Sequence, residues 1–149
     1  MNKKSNDLDN FNFIQCSTMN CDEKNITKSD NIFMNTIMSK IEKLKTKNDY
    51  LSLYKSYKKN NKFIIINFVK CIMNKCKSEF VNGLIFFMKK LNSNSNSKIP
   101  EFMNDVISDT QKILQKSKYT DEDITKCSFH FLLVLYYTIL DMFGEKIKF

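Results

Sequence analysis

The most constraining feature of this chain is an apolar segment near its end, residues 129–143, introduced by Thr120-Asp121-Glu122-Asp123. Thr120 is a good N-cap, and the three carboxylates sit where the positive end of a helix dipole favours them. The spacing predicts a helix over 121–143. Gly144 stands where a left-handed C-terminal residue belongs, with Lys146 and Lys148 just beyond. From Phe129 onward the helix is apolar nearly all round, which means a buried central helix or a membrane segment. Its fifteen or so residues at 1.5 Å each span about 22 Å, less than a bilayer core requires. His130 and Asp141 would be costly in lipid. The sequence therefore favours a core helix, with a membrane tail anchor through 129–143 as the disfavoured alternative.

A central helix needs others around it. Residues 1–28 are mixed polar sequence, read as a flexible or partly ordered arm, and helical periodicity begins at Ser29. Ser29 or Asp30 can cap a helix to about Lys47, with Phe33, Ile37, Ile41 and Leu44 on one stripe. Asn48 can cap a second helix, on which Tyr50, Leu53, Tyr54 and Tyr57 share a face. Residues 62–77 contain Phe63-Ile64-Ile65-Ile66, a strand-like run, but no partner strand is visible elsewhere, so a buried helix is expected. Residues 79–91 continue at helical spacing with Phe80, Leu84, Phe87 and Leu91. The Asn/Ser repeat at 92–98 is a low-complexity loop. Pro100 suits the first position of a helix reaching about Ser117, its stripe formed by Met103, Val106, Ile107, Thr110, Ile113 and Leu114. The expected fold is all-α: one compact domain of about six helices over 29–149.

Composition limits what such a domain can do. The chain has 149 residues and a formal net charge of +8. It contains no Arg and no Ala, so all 24 basic residues are Lys. The abundance of Asn, Lys, Ile and Phe points to an AT-rich coding genome, and much of the positive charge follows from that bias. Arg, not Lys, reads phosphate and guanine through paired hydrogen bonds. Sequence-specific recognition of nucleic acid is therefore disfavoured. Non-specific binding through Lys55-Ser56-Tyr57-Lys58-Lys59-Asn60-Asn61-Lys62, which interleaves aromatics and cations, is the alternative reading. The N-terminus shows no apolar signal segment, and the five cysteines are read as reduced thiols of a cytoplasmic protein.

Candidate chemistry is sparse. Cys16 and Cys21, like Cys71 and Cys76, have four residues between them, which invites a zinc reading. Residues i and i+5 of a helix face different ways, however, and buried thiols explain the pairs better. Cys127 and His130 have a nucleophile–base spacing. His130 lies in the most apolar segment, where a hydrogen-bonded core histidine is the expected role. No phosphate-cradling glycine loop or metalloprotease motif is present. No catalytic, cofactor-binding or metal-binding residue is assigned, and no cofactor is expected.

The run Ile139-Leu140-Asp141-Met142-Phe143-Gly144-Glu145-Lys146 resembles the C-terminus of the small Bcl-2-like proteins of poxviruses, whose apolar final helix closes in a similar pattern. Leu53-Tyr54-Lys55-Ser56-Tyr57-Lys58-Lys59 resembles their second helix. The chain lacks the Trp that several members carry and any BH3-like Leu-x-x-x-Gly-Asp. The resemblance implies a Bcl-2-like bundle that blocks host NF-κB signalling or apoptosis by occupying host adaptor proteins, often as a homodimer and without enzymatic turnover. Tyr50, Tyr54 and Tyr57 are the candidate partner-binding anchors, because amphipathic rings suit an intermittently buried surface.

Overall fold

The computed structural model describes residues 28–59, 64–76, 78–93 and 99–143. Among the described residues there are six helices: α1 (Lys28–Glu42), α2 (Lys47–Lys59), α3 (Ile64–Cys76), α4 (Ser78–Ser93), α5 (Met103–Leu114) and α6 (Asp121–Phe143). No strand occurs among the described residues. The all-α expectation is borne out, including the ambiguous third segment.

That third segment shows which force wins. On α3, Ile66, Val69, Ile72, Met73 and Cys76 are buried, while Asn67, Lys70, Asn74 and Lys75 are exposed. β-Branched residues cost a helix at most about 0.7 kcal/mol each relative to Ala. Burying one Ile or Val side chain stabilises by roughly 1.5–3 kcal/mol. Amphipathic packing therefore overrides local strand preference.

The helix α6 is the axis of the molecule and touches each of the other five helices. Around it α4 packs against both α3 and α5. Four successive α6 residues, Cys127, Ser128, Phe129 and His130, are fully covered, followed by Leu132, Leu133 and Val134. Cover on every side at 127–130 accounts for the all-round apolarity of the first part of the segment, whereas Asp141 and Met142 near its end are exposed. No helix among the described residues is long and apolar enough to cross a membrane.

Reciprocal caps start two helices. The Asp123 amide donates to Thr120 Oγ1 at 3.1 Å, and the Thr120 amide returns a bond to Asp123 Oδ2 at 2.9 Å. Lys116 Nζ closes on Asp123 Oδ1 at 2.8 Å. Burial alone would raise the Asp123 pKa, but the bonds from Lys116 and Thr120 outweigh it and hold the carboxyl below its usual range. Thr46 and Asp49 repeat the arrangement at α2, with both amide–side-chain distances 3.1 Å. A cap of this kind contributes about 1 kcal/mol.

Four local expectations are corrected. Thr46, not Asn48, caps α2, because a Thr three residues before Asp49 completes the reciprocal pair. The helix α1 already includes Lys28, so Ser29 and Asp30 lie within its first turn, and it ends at Glu42, short of Lys47. Pro100 opens a tight turn, with Met103 N–H donating to Pro100 O at 3.0 Å, before α5 begins at Met103. The low-complexity loop loses its first two residues to α4, and residues 94–98 lie outside the described ones. The arm at 1–27, Gly144, Lys146 and Lys148 lie outside them too.

Candidate functional site

The face of α2 that carries Tyr50, Tyr54 and Tyr57 points inward. These residues are 1 %, 8 % and 1 % exposed, which corrects their assignment as surface anchors. All three rings surround Phe129 of α6, with centroid distances of 5.8, 5.6 and 5.2 Å. Tyr50 also stacks on Phe102 at 5.4 Å. Aromatic pairs of this kind add about 0.5–1.5 kcal/mol each beyond area burial.

Tyr50 and Tyr57 end in buried polar relays that knit three helices. Thr110 Oγ1 donates to the Val106 carbonyl at 2.7 Å, which spends its only proton. It must therefore accept from His130 Nδ1–H, 2.8 Å away. His130 Nε2 is then a bare acceptor and takes the Tyr50 O–H at 2.6 Å. One neutral tautomer satisfies every group, and α2, α5 and α6 are joined through a single imidazole. Beside it, Tyr57 O–H donates to Ser128 Oγ at 2.9 Å, and Ser128 donates to the Thr125 carbonyl at 2.6 Å.

Burial, reinforced by the Lys126 charge, lowers the His130 pKa to about 3. Burial, with Asp123 nearby, pushes the Cys127 thiol up to about 12. Both imidazole nitrogens are already engaged, so no lone pair is left to activate Cys127. The nucleophile–base spacing is a by-product of core packing. His130 has the satisfied core role that its apolar surroundings implied.

Tyr54 differs from its neighbours. Its ring lies beneath Lys126 Nζ at 5.7 Å, yet its hydroxyl is buried with no hydrogen-bond partner among the described residues. Burial, then the charges of Glu122 and Asp123, push its pKa up to about 12. An unpaired hydroxyl is a cost, whereas the Tyr50 hydroxyl is the sole partner described for His130 Nε2. Tyr54→Phe should leave stability unchanged or raise it by up to about 1 kcal/mol, and Tyr50→Phe should lower it by about 1–3 kcal/mol. Urea denaturation of the two variants checks the contrast.

The cysteines also depart from expectation. Cys127 is a free, buried thiol, but Cys71 and Cys76 are disulfide-bonded, which overturns their reading as reduced thiols. An oxidised sulfur is not a thiolate ligand. No group of three or more metal-ligating side chains occurs among the described residues. Cys16 and Cys21 lie outside them.

On the surface, Lys58 is held by Glu122 at 2.9 Å, Lys70 faces Asp121 at 3.8 Å and Lys47 faces Asp105 at 3.5 Å. Part of the Lys-rich stretch is thus committed to the protein's own carboxylates, and Asn60, Asn61 and Lys62 lie outside the described residues. A cleft of about 510 Å³ opens between the C-terminal halves of α4 and α6. Phe87, Leu91, Thr138 and Met142 line it, with Lys90 and Asp141 at its sides, and Met142 is 67 % exposed. Periodicity within either helix shows only half of this cleft, and nothing local shows that the halves meet.

The geometry defines a class: an all-α bundle wrapped on an apolar C-terminal helix, with its polar relays sealed inside. No family model matches the chain, and neither a curated protein nor a solved structure matches it.

Proposed function

We propose that this protein is a viral, non-enzymatic interaction module that blocks host NF-κB signalling or apoptosis by occupying host adaptor proteins, alone or as a homodimer. The observation that carries the reading is the position of α6, an apolar final helix packed against all five others. A central apolar helix surrounded by the others supports the Bcl-2-like reading. The sealed Cys127–His130 neighbourhood supports a binding role over a catalytic one. The cytoplasmic setting belongs to the proposal and draws no support from Cys71 and Cys76, which are oxidised.

With the tyrosines buried, the contact surface moves to the cleft between α4 and α6. Its apolar lining suits one face of an amphipathic helix from an adaptor, and Met142 is the exposed anchor. In cells carrying an NF-κB reporter or given a death stimulus, the full chain should suppress at least one response in proportion to its expression. Met142→Glu should weaken that effect while leaving the fold within about 0.5 kcal/mol of the parent. A folded, expressed chain that alters neither response would overturn the proposal.

A further inference from the structure

Lysines gather on the side of the bundle formed by α1 and α2. Around α2, Leu51, Lys55 and Lys59 follow one another across roughly 80° of the outward face. Leu51 is 45 % exposed, a large apolar side chain among cations. Beyond Lys59 come Ser52 and Ser56, which line a shallow groove of about 340 Å³ together with Lys40 of α1 and Lys43 just past its end. Asp49 lines the groove too, but its charge serves its own cap. Its Oδ2 accepts from the Lys45 and Thr46 amides, both at 3.1 Å, and the Lys45 charge adds to the hold. Lys47 and Lys58 are engaged by Asp105 and Glu122. Lys40, Lys43, Lys55 and Lys59 are exposed and enter no ion pair among the described residues.

We propose that this α1–α2 face binds an anionic bilayer surface, with Lys40, Lys43, Lys55 and Lys59 on acidic headgroups and Leu51 dipping into the interface. Such a surface is a sheet of negative charge, and each lysine held against it strengthens binding about fivefold. The face lies on α1 and α2, whereas α4 and α6 line the apolar cleft, so the inference stands apart from the host-adaptor reading.

Three observations select lipid over nucleic acid. Tyr50, Tyr54 and Tyr57 are turned into the core, so α2 offers no ring on which a base stacks. Every cation of the face is a lysine, a point charge that suits a diffuse layer of headgroups and lacks the paired donors that grip a phosphodiester. Leu51 is an apolar group that a bilayer interface buries and a phosphate backbone does not.

Cosedimentation of the full chain with lipid vesicles tests the assignment. In about 0.1 M salt the protein should pellet with phosphatidylcholine vesicles containing about one-third phosphatidylserine, and stay in solution with phosphatidylcholine alone. Near 1 M salt, where the screening length shrinks to about 3 Å, binding should be lost. Lys55→Gln/Lys59→Gln should weaken binding roughly 25-fold. Leu51→Ser should weaken it on the order of tenfold. Lys89→Gln/Lys112→Gln removes the same charge from α4 and α5 and should bind as the parent does. All these positions are exposed, and urea titration should give the parent's midpoint for each variant. Failure to pellet with the acidic vesicles would overturn the proposal, as would full binding by Lys55→Gln/Lys59→Gln or equal weakening by Lys89→Gln/Lys112→Gln. Tighter binding to polyuridylate than to vesicles, unaffected by Leu51→Ser, would assign the face to nucleic acid and overturn it as well.

Discussion

Removing residues 129–149 should unfold the entire domain, leaving a chain without cooperative denaturation. The deleted part of α6 includes Phe129, Leu132, Leu133, Val134, Tyr136 and Tyr137, all buried. At roughly 1.5–3 kcal/mol per large side chain, their burial amounts to on the order of 10 kcal/mol. Domains of this size are stable by only about 5–15 kcal/mol in total. The loss falls on the helix that touches all five others, so packing is weakened across the bundle. Leu133→Asp makes the same test with one residue. Leu133 is 0 % exposed, and a carboxylate there has no partner, which costs at least 3 kcal/mol or so. Circular dichroism and urea titration would read both changes. A truncated chain that kept its helical signal and a sharp transition would show that α6 is dispensable, and the architecture described above would fail.

Acidification between about pH 6.5 and pH 4.5 should destabilise the protein by roughly 2–3 kcal/mol through His130 alone. In the unfolded chain an imidazole takes a proton near pH 6.5. In the folded protein burial, then Lys126, lower that value to about 3. The unfolded state therefore binds more protons throughout this window, and stability drops about 1.4 kcal/mol for each pH unit. It is fully present above about pH 6.5 and falls as pH approaches 3. Asp49, Glu122 and Asp123 also have lowered pKa values, so their contributions are lost in acid too. Their unfolded values lie near 4, however, and their losses begin at about that pH. Urea titrations at intervals from about pH 7 to 4.5 isolate the histidine. The slope should disappear in His130→Gln. A parent protein whose stability is flat across that range would mean that His130 is not held neutral.

Much of the fold was legible because helices are local objects. Thr120 followed by three carboxylates marks the start of α6, and the apolar run places its end at Phe143. For residues 62–77 the lack of a partner strand elsewhere in the sequence was enough to favour a helix over a strand. Caps were read less well. Thr46 and Asn48 are both competent caps, and only Asp49 reaching back to the Thr46 amide decides between them. The His130 environment was legible in kind, since a lone histidine in an apolar segment needs buried partners. Which partners it takes was not. Tyr50 and Thr110 lie 80 and 20 residues away in sequence.

The tyrosines and cysteines show the limit most clearly. Spacing places Tyr50, Tyr54 and Tyr57 on one face of α2, but an amphipathic ring suits a core or a surface equally. Packing around Phe129 turns that face inward. Likewise, the five-residue interval between Cys71 and Cys76 does not set their bonding state, and in the folded chain both are disulfide-bonded. By itself the sequence determined six helices and an apolar last helix needing cover, because periodicity and capping act over one or two turns. The tertiary structure alone decided which faces are sealed, how the imidazole is satisfied and where a cleft remains. Those outcomes depend on contacts between residues that are far apart along the chain.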